Sequence, residues 1–319
     1  MAHSVSYAGG VIKKGRVLSD QDIADIADGG VESIFVAKLE DGDVGENEAA
    51  ALIAAALTGD NTLAREAATG RANIMSALHG VACIDAGRIN QLNLIDESLT
   101  VATVSEFQVV DAGQMLATVK VIPYAVERGV LDVALDILAG APALSVQTLI
   151  DRKVALIITS VPGSKASLNK KSQVAMRRRL EALGSTLDMV ETTGHRIATV
   201  AAAIAIAARS HDLVLVFGAS AIADRDDVIP AGLVAAGGEV VHLGMPVDPG
   251  NLMMLGRLGK VDVIGVPSCA RSPKVNGFDW VLARVLAGLE VTPRDVMGMG
   301  VGGLLQEIAS RPAPREGRA

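Results

Sequence analysis

Leu213-Val214-Leu215-Val216-Phe217-Gly218-Ala219-Ser220-Ala221-Ile222-Ala223-Asp224-Arg225-Asp226-Asp227 opens on five consecutive apolar residues and closes on three carboxylates. An apolar run without polar alternation needs burial on both faces, which a parallel sheet covered by helices provides. The small residues behind it read as a turn from strand to helix.

Working outward, strand and helix signals alternate. Residues 154–159 form another apolar strand, followed by Gly163, Ser164 and a helical stretch over 171–183. Residues 187–191 read as strand and 197–208 as helix. Beyond Asp227 come a helix to residue 236, a strand at 240–243, the strand Val261–Val266 and a helix over 278–286. This alternation predicts an α/β domain over 153–290, with three layers and a parallel sheet at the centre. Residues 1–145 read as a smaller α+β domain. There, Ser19 caps a helix, 34–37 form a strand, Glu46–Leu57 is a helix, and 102–110 and 115–122 are strands joined by Asp111-Ala112-Gly113 as a hairpin. Residues 291–319 read as a tail. Gly298-Met299-Gly300-Val301-Gly302-Gly303 satisfies G-x-G-x-x-G, but no strand precedes it, so a dinucleotide fold does not fit. It reads as a flexible connection, continued by Arg311-Pro312-Ala313-Pro314.

Composition narrows the function. The net charge of −7 over 319 residues argues against a general nucleic-acid binder, which needs a basic face. Aromatic residues are 2% of the chain, so stacking platforms for bases are scarce. No apolar run reaches the roughly 20 residues that span a bilayer, and no secretory signal opens the chain. Cys83 and Cys269 are the only cysteines, which fits a reducing cytoplasm rather than a disulfide framework.

In an open parallel sheet, ligands bind beyond the carboxyl ends of the strands. The loop from Ser160 through Gly163 and Ser164 offers hydroxyls and backbone N–H groups to an anion, and reads equally as an ordinary turn. In the second loop, Gly218, Ala219 and Ser220 allow close approach of a phosphate. Asp224, Asp226 and Asp227 are the candidate catalytic residues, with Asp226 the candidate Mg²⁺ ligand; capping of the next helix is the competing reading. Pro249, Gly250 and Asn251 form a turn, and Pro267, Ser268, Cys269, Arg271 and Ser272 a further loop. Arg271 is suited to clamping a phosphate. Cys269 is either a thiol of lowered pKa facing a ligand or a small packed residue. Arg71, beside Gly70, is either a phosphate-reaching arginine or part of a helix capped by Thr69. His195 and His242 read as structural, and sequence order alone assembles no Ser/His/Asp constellation.

Taken in order, these loops resemble a known family. Gly218 to Asp226 is similar to the Gly-Gly-x-Ser-x-Gly-x-x-Asp segment of molybdopterin-binding domains, as found in molybdopterin adenylyltransferases, molybdopterin molybdotransferases and gephyrin. Ala219 and Ala223 stand where that family has glycines. Asp248-Pro249-Gly250-Asn251-Leu252 resembles its Pro-Gly-Lys-Pro turn, and Val266-Pro267-Ser268-Cys269-Ala270-Arg271-Ser272-Pro273 takes the place of its Leu-Pro-Gly-Asn-Pro loop. The resemblance covers residues 153–288. Lys13-Lys14-Gly15-Arg16-Val17-Leu18, Glu40-Asp41-Gly42-Asp43-Val44, Thr69-Gly70-Arg71-Ala72-Asn73 and Ala117-Thr118-Val119-Lys120-Val121-Ile122-Pro123 resemble the region that precedes such a domain in certain bacterial proteins. In many of those, a molybdenum-cofactor nucleotidyltransferase follows.

The resemblance implies a cytoplasmic homo-oligomer that binds molybdopterin or its nucleotide in molybdenum-cofactor biosynthesis. It would hand the pterin to a nucleotidyltransferase or an apo-molybdoenzyme. Alternatives are catalysis, as a Mg²⁺-dependent adenylyltransferase or a molybdate-inserting transferase, and a non-catalytic scaffold. Asn251 in place of the family lysine, and Ala221 where the loop serine would fall, favour the carrier.

Overall fold

The computed structural model describes residues 3–305. The chain divides into two compact units between Gln147 and Thr148.

In the first unit, the helices Glu46–Leu57 and Arg128–Leu138 share a core with a four-stranded antiparallel sheet. Its strand order is Thr62–Ala64, Arg71–Ser76, Met115–Val121, Leu99–Thr103. Ile53, Leu57, Ile74, Val119 and Leu131 are fully buried there. Two expectations are corrected. Residues 34–37 form no strand and Phe35 is 77% exposed, because an isolated apolar run has no neighbour with which to build a ladder. The expected hairpin is split: Leu99–Thr103 pairs with Met115–Val121, while Val109–Val110 pairs with Gly80–Ile84 in another sheet. The Ser19 cap forms as a capping box with Asp22.

Elements of the second unit are numbered within it. Its strands are β1 (Lys153–Ser160), β2 (Thr186–Gly194), β3 (Leu213–Phe217), β4 (Glu239–Leu243), β5 (Met254–Leu258) and β6 (Val261–Val266). Its helices are α1 (Ala166–Ala182), α2 (Ile197–Ala207), α3 (Val228–Ala235), α4 (Gly277–Leu286) and α5 (Pro293–Gly298). The six strands form one sheet in the order β2-β1-β3-β6-β5-β4. Pairing is parallel from β2 through β6 but antiparallel at β6/β5 and β5/β4. The expectation of a parallel sheet is therefore corrected to a mixed one. The missed strand is β5, whose apolar run is broken by Gly256 and Arg257. It joins β6 through Gly259-Lys260, with Leu258 paired to Val261 and Gly259 at φ +60°, the left-handed backbone a two-residue turn requires.

Alternation along the strands divides the core between the two faces. Val154, Leu156, Leu213, Leu215 and Phe217 pack with Met176 of α1 and Phe278 and Leu282 of α4. Ala155, Ile157, Val214 and Val216 pack with Val200 and Ile204 of α2 and Ile229 and Leu233 of α3. Such two-sided burial accounts for the unpatterned apolar sequence of β1 and β3.

The region after α4 is more ordered than a loose connection. Thr292 and Asp295 form a capping box at the start of α5, and Val296 and Met299 are buried. Leu305 donates its N–H to the Asp248 carbonyl at 2.9 Å, and Asp248 donates to Gly303 O at 2.8 Å. Residues 306–319, including Arg311-Pro312-Ala313-Pro314, lie outside the described residues. No helix among the described residues is long and apolar enough to cross a membrane.

Candidate functional site

Beyond the carboxyl ends of β3 and β6 lies a cleft of about 280 Å³. Gly218, Ser220, Ala221 and Ile222 form one wall; Asp248, Pro249, Gly250, Asn251 and Leu252 another; Val266, Pro267, Ser268 and Cys269 close it. Three of the sequence segments singled out above thus converge, and the opening is lined by both polar and apolar groups.

Each wall is held by identifiable contacts. Gly218 must be glycine because a Cβ would drive into the Ser220 carbonyl oxygen and lie 3.0 Å from Ile229 Cδ1. Gly250, at φ +141°, passes so close to α4 that a Cβ would stand 2.7 Å from Gly277 N. Arg179 of α1 donates to the carbonyls of Ala270 (2.9 Å), Ser272 (2.7 Å) and Lys274 (3.0 Å), which anchors the loop behind Pro267–Cys269. Asn251 O accepts from Met245 N at 2.9 Å, closing the turn that presents Pro249 and Gly250.

Other expected site residues serve the scaffold. Arg271 donates from Nε to Ser172 Oγ (2.9 Å) and from its terminal nitrogen to Gly218 O (3.1 Å), and its guanidinium lies 4.8 Å from the centroid of the Phe217 ring. It fastens the two loops instead of lining the cleft, as burial disfavours its charge. Ser272 lends its carbonyl to Arg179. Ser164 Oγ accepts from Val161 N at 3.0 Å across a turn in which Gly163 has φ +88°, and Ser160 Oγ donates to Thr193 O of β2 at 3.3 Å, so these hydroxyls serve the turn and the neighbouring strand. Arg71 belongs to the first unit, on the strand Arg71–Ser76, and donates to Thr118 Oγ1 at 2.9 Å; no helix capped by Thr69 exists there.

The three aspartates line no part of the cleft. Asp227 Oδ2 accepts from the N–H groups of Ala223 (2.7 Å) and Asp224 (2.9 Å), and these bonds hold its carboxyl below the usual carboxylate range. Asp224 Oδ1 accepts from Asp226 N at 2.8 Å. Among the described residues no group of three or more His, Cys, Asp or Glu side chains converges as a metal centre. The three carboxylates therefore form no cage of protein ligands for a cation at the cleft. Of the two readings of Cys269, the direction of its pKa fits the packed residue: burial, with the nearby Asp248 carboxylate adding to it, raises the thiol pKa.

The sequence reading missed two groups. Asp248 is exposed on the cleft wall, where its carboxylate lies near Cys269, and among the described residues no arginine or lysine lines the opening. His195 follows β2 directly. Its Nδ1 lies 2.8 Å from Thr159 Oγ1 and its Nε2 lies 3.0 Å from Ser220 Oγ. The strand was read as ending at residue 191, whereas it runs to Gly194. That difference puts His195 at a strand's carboxyl end, where a ligand-facing group belongs.

Fold and site together define an α/β chain with a cleft at the carboxyl ends of an open sheet. No protein-family model matches the chain, and no curated protein matches it. Among solved structures it is similar to a molybdopterin biosynthesis MoeA protein from Pyrococcus horikosii, at 14% identity over 81% of each chain with a TM-score of 0.33.

Proposed function

We propose that this chain binds molybdopterin or its nucleotide in the cleft and hands it on during molybdenum-cofactor biosynthesis. The observation that carries this reading is the convergence of Gly218–Ser220, Pro249–Asn251 and Pro267–Cys269, the segments that resemble the molybdopterin-binding family, on one opening of about 280 Å³. A volume of that order holds a fused bicyclic ring with a short side chain. The Asp248 carboxylate is suited to the adjacent N–H and NH₂ donors of a pterin edge. Among the described residues no acceptor pairs with the backbone N–H groups of Ser220, Ala221 or Ile222, and these are suited to a phosphate oxygen.

Carriage is favoured over adenylylation or molybdate insertion. Both transfers develop charge that a metal or cation must balance, and among the described residues the cleft is lined by neither an acidic cluster nor a lysine. Native mass spectrometry of anaerobically prepared protein with molybdopterin, ATP and Mg²⁺ tests this. Unaltered bound pterin fits carriage; adenylylated pterin with released pyrophosphate points to the enzyme.

A further inference from the structure

Ser220 is exposed on the cleft wall and His195 stands behind it. The hydrogen bonds around Thr159 fix which nitrogen of the imidazole carries the proton. Thr159 is 3% exposed; its Oγ1 accepts from Ala219 N at 2.8 Å, lies 3.2 Å from Phe217 O and 2.8 Å from His195 Nδ1. A hydroxyl has one proton and two acceptor sites. All three contacts are met when the hydroxyl donates to Phe217 O and accepts from Ala219 N–H and His195 Nδ1–H. Nε2 is then bare and faces Ser220 Oγ at 3.0 Å, as an acceptor for its proton. Nucleophile, base and orienting group are the three parts of an activated hydroxyl. The backbone N–H groups of Ala221 and Ile222, immediately after the nucleophile, have no acceptor among the described residues, and both residues line the cleft in which an oxyanion would form. The Asp248 carboxylate on the wall would repel a substrate carboxylate, so the carbonyl presented to Ser220 is that of an ester or thioester.

We propose that Ser220 is a nucleophile, with His195 as its general base and Thr159 as its positioning residue, for acyl transfer from an uncharged carboxylic ester or thioester. Ser220 Oγ bonds to the carbonyl carbon as its proton passes to His195 Nε2. The bond to the leaving oxygen or sulfur breaks, and that atom takes the proton from Nε2. Water then attacks the acyl-serine, its proton passing to Nε2 and on to the departing Ser220 Oγ, so that ester and water become acid and alcohol, and thioester and water become acid and thiol. This inference goes beyond the molybdopterin reading and does not rest on it.

The test is labelling of the full chain with a fluorophosphonate, in which the serine oxygen bonds to phosphorus and fluoride departs. The modified residue is located by mass spectrometry. Ser220 is labelled in the wild type. Labelling is lost in Ser220→Ala, slows about 100-fold in His195→Gln, and slows about 10-fold in Thr159→Val with recovery in Thr159→Ser. Ser210→Ala, at the separate Ser210–His211 contact, labels as the wild type does. Melting curves confirm that the variants fold. An unlabelled Ser220 in the wild type, or a His195→Gln variant labelled at the wild-type rate, overturns the proposal. Prior incubation with 6-hydroxymethylpterin slows labelling if the pterin occupies the same cleft; undiminished labelling leaves the serine assignment standing and counts against the pterin.

Discussion

Arg179 of α1 is ion-paired with Asp279 in the first turn of α4, with only 10% and 21% of the two side chains exposed. The same guanidinium reaches the three carbonyls of the loop between β6 and α4, so one side chain joins two helices and a cleft wall. Removing the guanidinium takes one of two donors from the largely buried Asp279 carboxylate, which keeps the Asn276 N–H at 2.8 Å, and leaves three carbonyls without theirs. Arg179→Met is expected to lower stability by about 3 kcal/mol, read as a shifted midpoint in urea unfolding.

The Gly250 prediction follows from close approach and backbone conformation together. A Cβ at φ +141° would be strained and would meet Gly277 N and Cα at 2.7 and 2.9 Å. Gly250→Ala is expected to displace the turn and weaken pterin binding at least about 10-fold, at a stability cost of about 1–3 kcal/mol. Titration of the purified variant with a pterin, alongside thermal melting, separates local displacement from global unfolding.

Asp248 is the acidic group on the wall, and its backbone is pinned by Gly303 and Leu305. Asp248→Asn retains the shape and removes the charge. Loss of one charge-assisted contact is expected to weaken pterin affinity about 10-fold or more, with melting unchanged because the carboxylate is exposed. An equilibrium titration measures it, and unchanged affinity would remove Asp248 from recognition.

Two histidines set the sign of a pH effect. Burial lowers the His195 pKa while the facing Asp227 raises it; burial and the facing Arg225 both lower that of His242. Folded values below the ordinary 6.5 mean that the unfolded chain binds these protons more readily. Their contribution is present above about pH 6.5 and is lost as pH falls through the folded values. Urea midpoints between pH 8 and 5 should fall more in the wild type than in His195→Gln.

Much of the second unit was legible because its cues are local. The unbroken apolar runs of β1 and β3 announce burial on both faces, and β6 was read with its observed ends. β5 was not legible, since Gly256 and Arg257 interrupt its run and its pairing is made through the Gly259-Lys260 turn. The site divides in the same way. Gly218, Pro249, Gly250 and Pro267 were readable as turn residues at strand ends, whereas nothing local joins Ser220 to His195, 25 positions apart. Arg271 was read by its charge, and the aspartates as ligands or as caps of the next helix; only the folded chain shows Arg271 engaged by Ser172 and Gly218, and the Asp224 and Asp227 carboxylates by the loop's own N–H groups.

The most direct test of the central claim is native mass spectrometry of the anaerobic protein with molybdopterin, for the wild type and Asp248→Asn side by side. The account predicts bound, chemically unaltered pterin on the wild type and markedly less on the variant. A wild-type chain that retains no pterin would contradict it.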